Sequence, residues 1–342
     1  MTAWHLSGRR SVGSLDWGGA SAQITVPSGD NTDDNNYDDN DENVDSETEL
    51  SSVSIHGQSN LCYGQQEALK RHRAGLVYSE YREAARVGVE RSEWQLYTQN
   101  KLAARASILD KAREEKKEVP ELKYPGDDPA VPHHFNISDP CLPAGAVLDS
   151  VPVSSIFSSP CTKIRNTSFM KMMETSNASI SFVSDYNYDT CSSLIQSQFR
   201  PTTCYFTWQP MIGEHTCLVP EDIAPPPPEL PYLAMSTYYY ISHHIDLNQP
   251  FSINDFLNTS RQICGLHSTH HKLQALKKVK ASTSACFQSQ LMYHLLTSGY
   301  HFNETSWSQI QFVKRINGAE VGWGLGYAMI EADKLGGGHF IR

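Results

Sequence analysis

Apolar and polar positions alternate most clearly near the start of the chain. Leu15 and Trp17 lead into Gly18-Gly19, and Ile24 and Val26 alternate on the way out, so residues 14–26 read as strand, glycine-rich turn, strand. From Gln65 to Lys117 the chain is rich in Ala, Glu, Lys, Arg and Leu and has no proline, and Leu102, Ala106, Leu109 and Ala112 fall near helical spacing. Pro120 marks the stop, and Gly75 and Gly88 are expected to split the segment into two or three helices. Residues 120–235 carry no long period, so loops and disulfides are expected to dominate, with Pro225 to Pro228 as a stiff polyproline connector. Tyr238-Tyr239-Tyr240 opens an apolar pattern that runs through Ile245 and Leu247. Phe287, Leu291 and Leu295, with Met292 and Leu296 beside them, predict an amphipathic helix that Gly299 ends. Ile310, Phe312 and Ile316 predict a short strand or hairpin, and Gly322 to Ile330 a last helix.

Composition changes this picture in two places. The 342 residues carry a formal charge of −10, and the stretch Asp30 to Glu49 holds ten acidic residues and no basic ones, so it accounts for the whole excess. That stretch has almost nothing to bury and is expected to be a disordered acidic insertion; it lacks the spacing of an EF-hand. The near-neutral remainder argues against a nucleic-acid surface. The resulting division is 1–29 a turn-bearing hairpin, 30–50 the acidic insertion, 51–120 a mainly helical insertion, 121–235 a disulfide-rich irregular region, 236–335 a C-terminal α/β segment and 336–342 a loose tail.

The eight cysteines lie between Cys62 and Cys286 without any Cys-x-x-Cys, which excludes a zinc ribbon or thioredoxin motif and leaves their connectivity open. With sequons at Asn136, Asn166, Asn177, Asn258 and Asn303 they point to an oxidising, secretory compartment. Residues 1–10 have no apolar core of a signal peptide, and no run of eighteen apolar residues occurs, so a missing front piece is expected. Histidines cluster at His133-His134, His243-His244 and His267-x-x-His270-His271, and are expected to be loop histidines because no further ligand has suitable spacing.

Candidate chemistry concentrates in the first hairpin. Asp16 precedes the turn, where a carboxylate can hold a hydrated cation. Gly18 and Gly19 allow a sharp bend and a close ligand approach, and successive N–H groups there can form a nest for an anion. Ser21 and Gln23 are two apart, hence on one strand face, where a hydroxyl and an amide can orient a water. Carboxylate, nest and water-orienting pair are the parts of a metal-assisted phosphate hydrolase; the alternative is a plain hairpin.

Asp16-Trp17-Gly18-Gly19-Ala20-Ser21-Ala22-Gln23-Ile24 resembles the fourth conserved region of the nucleoside triphosphate diphosphohydrolase (apyrase) family, cell-surface type. The run from Ala285-Cys286-Phe287 through Gly299-Tyr300-His301-Phe302, Ser306-Trp307, Ile310-x-Phe312 and Gly322-Trp323-Gly324-Leu325-Gly326-Tyr327 resembles the fifth. Leu61-Cys62-Tyr63-Gly64, Asp139-Pro140-Cys141 and Ser159-Pro160-Cys161-Thr162-Lys163 are similar to cell-surface members. The resemblance implies an α/β, actin-like and RNase H-like lobe with disulfide-rich insertions, the second of two lobes that enclose a nucleotide. It implies disulfides Cys62 with Cys161, Cys141 with Cys191, Cys204 with Cys217, and Cys264 with Cys286.

By the same resemblance, Asp16 would hold a divalent cation, Ca²⁺ or Mg²⁺, through water. Gly18, Gly19, Ala20, Ser21 and Ala22 would bind phosphate. Ser21 and Gln23 would position the attacking water, and Tyr240 would stack on the base unless it is a core tyrosine. Trp323 would pack the cleft. The substrates implied are nucleoside tri- and diphosphates such as ATP and ADP. Location would be the extracellular face of the plasma membrane or the secretory pathway, with any membrane anchor in the full-length protein. The family's first phosphate loop and its general-base glutamate have no counterpart before Ser14. Gln65 stands where some members carry an arginine, and no arginine immediately precedes Cys286. The isolated chain is therefore expected to be inactive or nearly so. A non-hydrolysing nucleotide-binding or scaffold glycoprotein is the rival reading, and an exopolyphosphatase-like relative a third.

Overall fold

The computed structural model describes residues 12–27, 55–86, 134–174, 176–209, 217–218, 220–247, 249–270, 283–316 and 319–320. Its centre is a five-stranded sheet built from β1 (Gly13–Trp17), β2 (Ser21–Pro27), β3 (Ile55–Leu61), β7 (Tyr232–Ser236) and β8 (Ile310–Phe312), in the order β3-β2-β1-β7-β8. The first three strands are antiparallel, and β7 and β8 run parallel to β1. This is a mixed α/β lobe of the kind the resemblance implies.

Period-2 patterning sets the two faces of this sheet. Leu15, Trp17, Ala22 and Ile24 turn to one side and join Tyr232, Ala234, Ile310 and Phe312 in the main core. Gly13 sits opposite Tyr232, and a Cβ there would lie 2.3 Å from the tyrosine ring, so the close strand pairing requires glycine. The other face carries Ser14, Asp16, Gln23, Thr25 and Ser59, and it lines a groove.

A second sheet, β4 (His134–Asp139), β6 (Ser179–Ser184) and β5 (Val147–Pro152), has its own core with Phe157, Phe169, Phe182 and Met173. The helix α1 (Gln65–Arg86) joins the two, with Ala68 in the first core and Ala74, Val77 and Ala84 in the second. Gly75 does not break α1, contrary to expectation. A mid-helix glycine costs only ~1 kcal/mol relative to alanine, and burial on both sides of position 75 outweighs it. Gly88, the rest of the stretch to Lys117 that is expected to be helical, the acidic insertion, the segment 321–342 with Trp323, and His133 and His271 lie outside the described residues.

The described residues between 134 and 235 are more regular than the sequence implies. They hold β4 to β6 and the helices α2 (Val153–Phe157), α3 (Thr167–Glu174), α4 (Tyr188–Ser197) and α5 (Pro201–Thr207). Each element has five to ten residues, too few for a period to stand out from the Ser, Asn and Pro background. After β7 come α6 (Thr237–His244), α7 (Ile253–Gly265), α8 (Ala285–His294) with a π-turn over Leu295–Gly299, α9 (Glu304–Trp307), and the two-stranded β9 (Arg315–Ile316) and β10 (Ala319–Glu320). α8 is buried nearly all round, including Ser289, Gln290 and His294, so it is a central helix rather than an amphipathic one. Gly299 ends it as expected.

The structure pairs Cys62 with Cys161, Cys141 with Cys191, Cys204 with Cys217, and Cys264 with Cys286, the same four pairs that the resemblance implies. Beside them lies a buried hydrogen-bonded pair, His72 Nε2 to Asp139 Oδ1 at 3.0 Å. Burial alone would raise Asp139, but His72, the Cys141 N–H and Arg73 outweigh it and hold the carboxyl below the usual carboxylate range. His72, Asp139 and Cys141 lie close enough together to suggest a metal site. The Cys141 sulfur is tied up in a disulfide and the other two groups satisfy each other, so the cluster is structural.

His294 on α8 hydrogen-bonds Ser192 Oγ at 2.8 Å and Ser298 Oγ at 3.3 Å, and burial pushes it down to about 4. The folded imidazole stays neutral while the unfolded one takes a proton near 6.5. Its contribution is therefore complete above pH 6.5 and is lost as pH falls to about 4, by about 3 kcal/mol. Urea unfolding of His294→Gln should show a flatter stability profile across that window than wild type; an unchanged slope would refute the assignment.

Candidate active-site groove

The turn between β1 and β2 is held from behind by the start of α1. The carbonyl of Gly18 accepts from Gln65 N–H at 2.9 Å, and that of Gly19 accepts from Gln66 at 2.9 Å and Glu67 at 3.2 Å. The carbonyl of Ala20 accepts from Cys62 N–H at 2.9 Å. The first amides of a helix have no partner inside it, and here the loop supplies one. A trans peptide points its N–H opposite its C=O. Pinning the Gly18 and Gly19 carbonyls to α1 therefore turns the N–H groups of Gly19 and Ala20 away from the helix. Among the described residues neither has a backbone acceptor, whereas Gly18 N–H is used by Ser21 O at 3.0 Å.

The steric demand falls on a different glycine from those the sequence singled out. Gly18 and Gly19 are not in the left-handed region, and a Cβ on Gly18 would meet nothing closer than 3.7 Å. At Gly64, between β3 and α1, a Cβ would lie 2.3 Å from Ala20 C and Ser21 N. Only glycine lets the start of α1 come close enough to grip the loop. Trp17 Nε1 donating to Tyr63 O at 2.9 Å, and the Cys62–Cys161 disulfide, fasten the same corner.

Strand register assembles the polar face. Asp16 stands opposite Gln23 on β2 and Met235 on β7, and Gln23 stands opposite Ser59 on β3. Directly opposed residues share a face with Cβ atoms about 5 Å apart, so Met235, Asp16, Gln23 and Ser59 form one row across four strands. Gln23 Nε2 donates to Ser21 Oγ at 2.5 Å and to Ser59 Oγ at 3.2 Å. Both amide hydrogens are thus engaged; the Ser21 hydroxyl keeps its hydrogen to donate, and Gln23 Oε1 remains an acceptor. Asp16 Oδ1 is buried and has no hydrogen-bond partner among the described residues. The groove has a volume of about 680 Å³, with Asp16, Gly18, Gly19, Ala20, Ser21 and Gln23 among its walls. Ala22 points to the core instead, so only its backbone belongs to the loop.

Tyr240 does not line this groove. It is 44% exposed on α6, against Tyr239 and His244, so it is not a core tyrosine; that place is taken by Tyr238, which packs on Trp17 at 5.3 Å and whose phenol is raised by burial. Ser59, Gly57 and Gln58 on β3 are groove residues that sequence reasoning missed. The stretch Ile55 to Leu61 has too few apolar residues to read as a strand, and only its Ser and Gly on alternate positions hinted at it.

A model of the GDA1/CD39 (nucleoside phosphatase) family matches residues 3–336. The chain belongs to that family. It is 26% identical to ectonucleoside triphosphate diphosphohydrolase 3 of Mus musculus over 98% of its own length and 51% of the relative's, and 23% identical to the Homo sapiens protein of the same name over 95% and 50%. A crystal structure of nucleoside triphosphate hydrolases from Neospora caninum is similar at a TM-score of 0.49 and 14% identity, over 94% of this chain and 57% of that one. The chain thus spans about half the length of the curated relatives it matches.

The glycine-rich turn is seated on α1 only because Gly64 is bare. Gly64→Ala should destabilise the protein by about 2–3 kcal/mol, the cost of overpacking, whereas Gly18→Ala should change stability by less than about 0.5 kcal/mol. Thermal unfolding of the two variants checks this, and equal melting temperatures would contradict it.

Proposed function

We propose that this chain is the second lobe of a hydrolase that releases the terminal phosphate from nucleoside 5′-tri- and diphosphates. The observation that carries the reading is the convergence on one groove of the Gly19 and Ala20 amides, the Ser21–Gln23 pair and the orphaned Asp16 oxygen, in a chain of the GDA1/CD39 family. The loop amides bind the phosphate chain. Ser21 donates to a water and Gln23 accepts from it, which fixes the water's lone pair on the phosphorus. Asp16 fits a divalent cation, Ca²⁺ or Mg²⁺: a buried carboxylate oxygen without a protein donor suits a cation or its hydration water. That ion would balance charge on the phosphate oxygens. Hydrogen bonds to the water and phosphate count for more here than in bulk water, because one wall of the groove is the sheet itself.

The described walls of the groove contain no glutamate or histidine, so the general base comes from across the groove, outside the residues described. With that base contributed by the first lobe, this chain alone releases little or no phosphate. The half-exposed Tyr240 ring would reach a base only beyond the groove's walls. Four disulfides, and relatives named as ectonucleoside hydrolases, support a secretory or cell-surface location. No helix among the described residues is long and apolar enough to cross a membrane. The second reading, a nucleotide binder without turnover, rests on the lack of a glutamate or histidine among the described walls of the groove.

In the full-length protein, Ser21→Ala should lower kcat for phosphate release from ATP by about 10²–10³-fold with KM little changed. Asp16→Asn should raise the Ca²⁺ or Mg²⁺ concentration needed for half-maximal rate by about tenfold. Both are read by inorganic phosphate release. Full activity in Ser21→Ala would refute the mechanism, and tight ADP binding without turnover in the wild type would leave the binder.

A further inference from the structure

A second cavity, of about 540 Å³, lies along α1 between that helix and α4 and α5, away from the groove's walls. Its volume is that of a small-molecule site. Residues 71, 75, 78, 82 and 86 fall on one helical face, and all five line it. Three of them are arginines. Arg71 forms the inner end, buried under the rings of Trp208 and Tyr63 at 4.9 and 5.2 Å. Arg82 and Arg86 stand at the exposed end. Among the described residues Glu83 is the one carboxylate in the lining, so the described walls carry an excess of positive charge.

Two further features point to an occupant. Gly75 forms the middle of that face, and a Cβ there would meet nothing within 4 Å among the described residues. Neither a close approach nor a special backbone angle calls for glycine, yet it forgoes the helix propensity of alanine. What it supplies is open floor. Gln198, 8% exposed, also lines the cavity, and its Oε1 is buried with no hydrogen-bond donor among the described residues, a state that is costly unless something fills it. Tyr78 and Trp208 add flat apolar walls.

We propose that this cavity binds a small organic anion: a phosphate or carboxylate head held by Arg82 and Arg86, a flat body lying over Gly75 between the aromatic walls, and an O–H or N–H that donates to Gln198 Oε1. Guanidinium groups match either head bidentately. The proposal is independent of whether the β1–β2 groove hydrolyses nucleotides.

The test is isothermal titration of the chain with 6-hydroxynaphthalene-2-phosphonate and with 6-hydroxy-2-naphthoate, which distinguish the two heads, and with inorganic phosphate as the head alone. At least one naphthalene probe should bind, at least tenfold more tightly than inorganic phosphate. Gly75→Leu fills the floor and should weaken that binding at least tenfold while melting at or above the wild-type temperature; Arg86→Met, at an exposed position, should weaken it severalfold. No binding of either probe would overturn the proposal. So would equal binding by inorganic phosphate, or binding that survives Gly75→Leu but is lost in Ser21→Ala.

Discussion

Three hydrogen bonds from the first turn of α1 to the carbonyls of Gly18 and Gly19 are the constraint on which the groove depends. They satisfy helix amides that would otherwise need water or a cap. They also fix which way the loop peptides face. The positive end of the helix is spent on loop carbonyls, and the loop's own N–H groups carry that polarity to the groove. An anion site is thus relayed through one layer of peptide units instead of being formed at the helix end directly. Everything that holds α1 in place therefore bears on the loop: Gly64 beneath it, Trp17 on Tyr63, and the Cys62–Cys161 disulfide.

The same helix joins the two cores. Its first turns pack with the five-stranded sheet and its later turns with the phenylalanine cluster under the smaller sheet. His72, midway, is paired with Asp139 at the end of β4, and Arg71 is buried beside it. Removing one partner of such a pair would leave an uncompensated buried charge, which is far more costly than the pair is stabilising. The helix is consequently anchored at both ends and in the middle. The sheet contributes register: once Asp16 faces Gln23 and Gln23 faces Ser59, the polar row follows without further provision.

The hairpin was legible because its signals are local. Alternation of Leu15, Trp17, Ile24 and Val26 and a Gly-Gly turn are read within thirteen residues, and spacing puts Asp16 before the turn and Ser21 and Gln23 on one strand face; the roles proposed for them came from family resemblance. The roles of Ser59 and Gly64 were not legible, because they arise from pairing across tens of residues. β3 is polar in composition, since one of its faces lines the groove and Asn60 on the other is hydrogen-bonded to Tyr300. α8 read as amphipathic because Phe287, Leu291 and Leu295 recur every four residues, whereas the fold buries Ser289, Gln290 and His294 as well. Gly75 read as a helix break because propensity cannot register burial on both sides. The cysteine pairs came from family resemblance, since spacing alone leaves many connectivities open.

The central claim is that the Gly19 and Ala20 amides face the groove and bind phosphate. The most direct measurement is a backbone amide NMR titration of the ¹⁵N-labelled chain with ADP and Mg²⁺. The account predicts that the largest shifts fall on Gly19 and Ala20, with Gln65 to Glu67 following through their shared hydrogen bonds. Saturating shifts confined to other parts of the chain, with Gly19 and Ala20 unmoved, would contradict it.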